Sequence, residues 1–340
     1  MKLLGFSCGR KMGNSEILVK EALMGAEELG VDIEILRLQD LEIKPCRLCK
    51  TCLWEQEGPE ACVIKDDAAF FWDRIMECDG LILAAPVYSL TPPGYLLQVC
   101  DRALGAKADV GFSMERKKMK MQGAHVFVDE RSFKTRVGAF ISHGGSVTPN
   151  WLSFGLFLLH TRTFALNIKM VDQMQVAGAG MLPGQVLLKE AAIERARKLG
   201  RRVAEAMGKP IDEVKWMGDE LGTCPVCHSN LLTVTKRNPV ECPVCGISGE
   251  IRVDGDEITV TFSEEEQKRS RLTLAGKLEH YMEYFPETDW EKKYELQQTS
   301  SIPKSMEKQL LDEIAKKKEK YKSYKSYSLP LRKVGKRSRV

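Results

Sequence analysis

The chain has no long apolar run: its longest nearly apolar stretch, Trp151 to Leu159, is about half of what a membrane-spanning helix needs. No membrane partner is therefore expected. The Leu3-Leu4-Gly5-Phe6 run is too short for the core of an export signal. The opening loop lacks the GxxxxGK[ST] of nucleoside triphosphatases and the glycine spacing of a GxGxxG turn. No convincing catalytic acid–base pair stands out, and no repeat occurs beyond a pair of cysteine knuckles. Cysteine is not scarce. Eleven of them in a chain with no export signal imply a reducing, cytoplasmic setting, where clustered thiols hold metal more often than they form disulfides.

At 340 residues the chain has room for one large or two or three smaller cores. Its net charge of +4 is unevenly spread, because the segment from Lys316 to Val340 carries eleven Lys and Arg against the single acid Glu319. The body is thus acidic and the tail basic.

Short apolar runs alternate with helical patterns over the first two hundred residues. Strands are expected at Lys2 to Ser7, Val31 to Leu38, Gly80 to Pro86, Val137 to Ser142 and Asn167 to Val176. Helices are expected from Asn14 to Gly30, Asp66 to Cys78, Gly94 to Leu104, Pro149 to Arg162 and Gly184 to Met207. This order predicts an α/β fold, a doubly wound five-stranded parallel sheet covered on both faces. Residues 1–209 form this domain, with a cysteine-rich loop at 46–62. A linker is expected at 210–222, a small cysteine-bearing β module at 223–262, a helical extension at 263–315 with one helix over Ser263 to Phe285, and a basic, disordered tail at 316–340.

In such a sheet, ligands bind beyond the carboxyl ends of the strands. The first strand leads into "GFSCGRKMGNSE", a polar loop that opens a helix and offers unpaired backbone N–H groups to an anion. The plain alternative is a polar turn with Asn14 or Ser15 as an N-cap. The third strand ends in Pro86-Val87-Tyr88-Ser89 and the fourth in Ser142-His143-Gly144-Gly145. An anion cradle, an aromatic on a rigid turn and a glycine-rich loop would together accommodate a flat ring bearing a phosphate.

"FSCGRKMGNSE" followed by "DGLILAAPVYSLTPPGYLLQVCDR" resembles the NAD(P)H-dependent FMN reductase branch of the flavodoxin-like superfamily, and the cysteines between them resemble its iron-sulfur flavoprotein members. The resemblance spans roughly residues 1 to 205. It implies that Ser7, Arg10, Gly13, Asn14 and Ser15 hold the FMN phosphate, that Pro86, Val87, Tyr88 and Ser89 lie along the isoalloxazine, and that His143, Gly144 and Gly145 close over the ring. It also implies NAD(P)H or ferredoxin as electron donor, an unknown acceptor, and a homodimer. The chain departs from the family's Ser-Pro-Arg, having Ser7-Cys8-Gly9-Arg10 instead, and lacks the lysine before the Asp-Arg pair.

Cys46, Cys49, Cys52 and Cys62 are spaced C-x2-C-x2-C-x9-C, the ferredoxin logic for a [4Fe-4S] cluster; a thiol-rich loop without a cluster is the alternative. The last gap is longer than is typical of iron-sulfur flavoproteins. Cys224, Cys227, Cys242 and Cys245 are spaced C-x2-C-x14-C-x2-C in two Cys-Pro-Val-Cys knuckles, which predicts a structural zinc ribbon, with a rubredoxin-like iron as competitor. The tail interleaves lysines with Tyr321, Tyr324 and Tyr327, a pattern suited to solvated chain, to nucleic acid or to an acidic redox partner. These features give two readings: a flavin-dependent electron-transfer enzyme, or a nucleic-acid-associated scaffold with a flavin sensor.

Overall fold

In a computed structural model, residues 1–49, 51–54, 62–102, 107–123, 125–282 and 304–322 are described. Five parallel strands, β1 (Lys2–Ser7), β2 (Asp32–Arg37), β3 (Gly80–Pro86), β4 (Arg136–His143) and β5 (Ile168–Val176), form a sheet of order β2-β1-β3-β4-β5. The reversal of strand order falls between β1 and β3, so both strands end at the crevice where such sheets take ligands.

Because successive side chains of a strand face opposite ways, nearly continuous apolar runs feed two cores. Leu3, Ile82, Val137, Ala139 and Ile141 join one core with helices α1 (Asn14–Glu27) and α6 (Glu190–Ala206). Leu4, Phe6, Leu81, Leu83 and Phe140 face the other, with α2 (Ala68–Glu77), α3 (Gly94–Cys100) and α5 (Phe154–Arg162). Each large apolar side chain so buried contributes about 1.5–3 kcal/mol. Helices α1 and α6 meet with no room to spare: a Cβ on Gly200 would stand 1.7 Å from the Ala22 carbonyl oxygen.

Several expected boundaries shift. The long final helix starts only at Glu190, because Gly184 sits at φ +74° and a short 3-10 turn, Gln185–Leu188, precedes it. Helix α4 (Val110–Met121) was not expected; its Asp109 side chain caps the Phe112 N–H. The helix expected over 263–285 is split into α7 (Glu264–Lys268) and α8 (Leu274–Met282). Between them the Thr273 hydroxyl bonds the Lys268 and Ser270 carbonyls and caps Gly276 N–H, while Arg271 N–H leaves for the Cys245 carbonyl. Side chains of this kind compete with helical bonding, and here they win.

The cysteine module is a three-stranded antiparallel sheet of β6 (Val240–Cys242), β7 (Ile247–Asp254) and β8 (Glu257–Thr261). It is held against the edge of the main sheet. Phe157 of α5 packs on its cysteines, the Trp216 and His228 rings stack at 3.8 Å, and Gln173 donates to the His228 carbonyl. Residues 210–222 are likewise bonded to the body. Met217 N–H reaches the Val171 carbonyl, and Asp219 pairs with Arg195, Lys198 and Arg202.

Residues 1–281 form one compact unit and 282–340 another. In the second, helix α9 (Lys304–Lys322) begins within the expected helical extension and runs on through Lys316–Lys322, where unstructured chain was expected. The Glu313–Lys317 pair at 2.6 Å gives it i,i+4 support. The rest of the basic tail, 323–340, lies outside the described residues. Among the described residues no helix is long and apolar enough to cross a membrane.

Candidate functional site

The loop between β1 and α1 is shaped by its own backbone bonds. Gly13 N–H bonds the Arg10 carbonyl, Cys8 N–H bonds the Ala84 carbonyl of β3, and Met12 turns at φ +49°. A Cβ on Gly9 would strike Ser15 Oγ at 2.6 Å, and one on Gly13 the Arg10 carbonyl at 2.8 Å, so both positions need glycine. Helix α1 therefore starts with no side-chain cap, and the N–H groups of Asn14, Ser15 and Glu16 head a helix whose dipole favours an anion. Glu16 does not spoil the cradle. Its carboxylate accepts from Met12 N–H at 2.7 Å and pairs with Lys20 and Arg37; burial works to raise its pKa, but these partners outweigh burial and hold the carboxyl below its usual range.

Of the residues expected here, Ser7, Gly13, Asn14 and Ser15 are buried at the loop and Arg10 is exposed on it. The Asn14 side chain is occupied elsewhere. Its amide donates to the Ala179 and Leu182 carbonyls and its oxygen accepts from Val186 N–H, which ties the β5–α6 loop to the head of α1.

The second element is the turn after β3. Pro86 closes the strand, Val87 N–H bonds the His143 carbonyl, and Tyr88 and Thr91 exchange backbone bonds. Ser89 and Leu90 between them stand at φ +48° and +74°. Leucine in the left-handed region is strained, and such strain gathers where a side chain must be aimed. The turn leaves Tyr88 45% exposed at the rim.

The third element is the end of β4. His143 is buried, with Nε2 2.7 Å from Ser15 Oγ and Nδ1 3.0 Å from the Ala179 carbonyl oxygen. Burial pushes its pKa down to about 4, the Ala179 bond opposes this and Arg10 reinforces it, so the ring is neutral near pH 7. Gly144 N–H bonds the Val176 carbonyl, and Gly145 lies against Gly180. The structure thus brings the expected residues of all three loops to one end of the sheet. Sequence reasoning missed the bond between Ser15 and His143, 128 residues apart, for which there is no local signal.

A glycine cradle on a helix head, beside an exposed aromatic, fits a phosphorylated flat ring such as FMN. Two cavities, of about 980 and 720 Å³, lie against the cysteine module, and neither is lined by Ser15, Tyr88 or His143. Around the rim, Met12, Leu90, Val147, Trp151, Met181 and Leu182 are exposed apolar side chains.

The two cysteine quartets differ. Cys224, Cys227, Cys242 and Cys245 are buried, with all four sulfurs within 4.8 Å of one another, an arrangement that fits a tetrahedral metal such as zinc. Among the described residues no other such group of potential ligands occurs. Cys46, Cys49, Cys52 and Cys62 are half-buried to exposed. Burial pushes the Cys52 thiol up to about 11, with Cys62, Cys46 and Cys49 adding to the shift. Arg102 anchors this loop. It pairs with Asp66 at 2.7 Å, donates to the Lys44 carbonyl and reaches Cys62 Sγ at 3.3 Å.

The family model for NADPH-dependent FMN reductase matches residues 1–151. A flavone synthase of Aspergillus candidus is 36% identical over 274 residues, which cover 78% of this chain and 83% of that protein. An iron-sulfur flavoprotein of Methanocaldococcus jannaschii is 31% identical over 208 residues, 61% of this chain and 97% of its own length. A solved flavone reductase superposes with a TM-score of 0.71 at 26% identity, covering 97% of this chain and all of the other. Given this family match and these relatives, the chain belongs to the NADPH-dependent FMN reductase and iron-sulfur flavoprotein family and is an NAD(P)H-dependent FMN reductase-like oxidoreductase.

Proposed function

We propose that the chain uses FMN, seated by its phosphate in the β1–α1 loop, to carry reducing equivalents from NAD(P)H to a flat, conjugated carbonyl compound of the flavone kind. The observation that carries the reading is the convergence of Ser15, Tyr88 and His143 at one rim, joined to an architecture that a flavone reductase matches over 97% of this chain, cysteine module included. When bound, FMN would accept a hydride from NAD(P)H and deliver it to the acceptor. The protein's part is to bind and orient. The N–H groups at the head of α1 and the Ser7 and Ser15 hydroxyls would meet the phosphate, with Arg10 adding positive charge. Tyr88 on its strained turn, with Pro86, Val87 and Ser89, would lie along the ring, and His143, Gly144 and Gly145 would close its far edge.

The exposed apolar rim supports a homodimer in which a second copy covers the ring and excludes water. The zinc ribbon, held by Cys224, Cys227, Cys242 and Cys245, would brace the edge of β5 rather than take part in the chemistry. The test is anaerobic. FMN-loaded protein should oxidise NADH or NADPH when a flavone is added and yield its dihydro product by mass spectrometry; NAD(P)H oxidation that proceeds only with free FMN as acceptor would refute the substrate class.

A second reading is favoured by the C-x2-C-x2-C-x9-C run and by the likeness to iron-sulfur flavoproteins. In it Cys46, Cys49, Cys52 and Cys62 hold a [4Fe-4S] cluster that exchanges single electrons with a ferredoxin. Iron and acid-labile sulfide in anaerobically purified protein, lost in Cys49→Ala, would favour it over the first.

A further inference from the structure

Ser15 and His143 share one proton-bearing bond whose direction can be worked out. A carbonyl oxygen only accepts, so the contact of His143 Nδ1 with the Ala179 oxygen at 3.0 Å places a proton on Nδ1. In the neutral ring Nε2 is then an acceptor, and the Ser15 hydroxyl, 2.7 Å away, must donate to it. With its only proton committed, Ser15 Oγ has just lone pairs to offer the cradle. A phosphate dianion also has only lone pairs. The two groups cannot bond in this state.

We infer that seating a phosphate dianion in the β1–α1 loop is coupled to uptake of one proton by His143. The doubly protonated ring donates Nδ1–H to Ala179 and Nε2–H to Ser15 Oγ, and the Ser15 hydroxyl is released to donate to the phosphate. The proton comes from solvent, and no electrons move. Turning the Ser15 proton to the phosphate while the ring stays neutral would leave buried Nε2 without a donor, which is costly. This inference rests on the reading of the loop as the FMN phosphate seat.

The charged surroundings of the ring are consistent with a switch that needs the ligand's charge. From the β1–α1 loop Arg10 acts on the ring and disfavours its protonation. On α1, Glu16 is turned to Met12 N–H, Lys20 and Arg37. The neighbouring strands place Pro86 and Val176 beside it, neither charged, and Lys189 stands against Gly178 beyond. No carboxylate faces His143 among these, so the anion that would stabilise an imidazolium has to arrive with the ligand.

The experiment is calorimetric titration of the full apo chain with FMN and with riboflavin, in two buffers of different ionisation enthalpy. At about pH 7 free FMN is mostly a dianion, its second phosphate pKa being about 6. The expected result is net proton uptake on binding FMN, growing as the pH is lowered from about 8 towards 7, and none on binding riboflavin. Ser15→Ala and His143→Gln should each still bind FMN, more weakly and without uptake, and the bound phosphate should keep the ³¹P shift of a dianion. FMN binding tighter than riboflavin but with no proton uptake would overturn the coupling and leave the phosphate seat standing. Undiminished uptake in His143→Gln, or a monoanion ³¹P shift, would put the proton elsewhere and also overturn it. Equal affinity for FMN and riboflavin would instead refute the phosphate seat, and the coupling with it.

Discussion

The two cysteine quartets read almost equally well as metal sites on paper, yet the fold treats them differently. The four thiols of the C-terminal module sit on two knuckles, the second in the turn between β6 and β7 and the first closed by Cys224 N–H to the Ser229 carbonyl and His228 N–H to the Cys224 carbonyl; all are buried, with Cys227 and Cys242 sulfurs 3.5 Å apart. Those of the loop after β2 hang on irregular backbone with one helical turn, Thr51–Trp54, and Cys49 faces solvent. Spacing states which thiols could meet; rigid backbone on both sides of each thiol makes them meet. Identical Cys-Pro-Val-Cys knuckles joined by a hairpin carry that backbone within themselves. A C-x2-C-x2-C run whose fourth thiol lies ten residues on does not, and it depends on outside anchors such as Arg102.

The sharpest way to break this contrast is Cys242→Ala. Structural zinc supplies roughly 10–16 kcal/mol of apparent folding free energy to small modules, so this variant should lose its metal and melt the ribbon by circular dichroism and metal analysis. The rim should still bind FMN. Loss of FMN as well would show that the ribbon supports the flavin rim and not only the edge of β5.

Acid sharpens the contrast at the rim. His143 and His160 are buried neutral, burial holding each pKa near about 4, below the unfolded value of about 6.5. Between these values the unfolded chain binds more protons than the folded one, so stability is fully present above about pH 6.5 and is lost as pH falls towards 4. Each histidine should cost up to about 3 kcal/mol over that window. Denaturant titrations across it would register the loss, and bound FMN should lessen the share due to His143 if the proton coupling holds.

Asn14→Asp comes next. The carboxylate cannot donate to the Ala179 and Leu182 carbonyls, so a loss of about 1–3 kcal/mol is expected in unfolding. FMN should weaken with it, because a negative charge enters the helix head. Unchanged stability would show that the bonds of Asn14 to the β5–α6 loop contribute little. The smallest effect is expected from Cys49→Ala. If the loop holds no cluster, stability should change by no more than about 0.5 kcal/mol and the flavin reduction rate by no more than about twofold, as for an exposed substitution; a lost brown colour would erase the contrast between the quartets.

Much of the fold was legible because its signals are local. "KLLGFS", "GLILAAP" and "RVGAFISH" are continuous apolar runs, and each became a buried strand of the parallel sheet. Helix α4, "VGFSMERKKMKM", escaped notice because its lysines mask the apolar side; Asp109 three residues before Phe112 was the capping signal that could have revealed it. Three strand-end loops were recognisable by composition and by family likeness. How they interlock was not. The Ser15–His143 bond and the use of Asn14 as a strut to residues 179–186 are set by tertiary packing across more than a hundred residues.

The proposed function stands on the sheet's rim holding a flavin by its phosphate. Titration of apo protein with FMN and riboflavin, followed by quenching of flavin fluorescence, tests it most directly. Two or more charge-assisted hydrogen bonds should make FMN at least about 100-fold the tighter ligand. Equal affinities would mean that the glycine cradle at the head of α1 does not hold a phosphate.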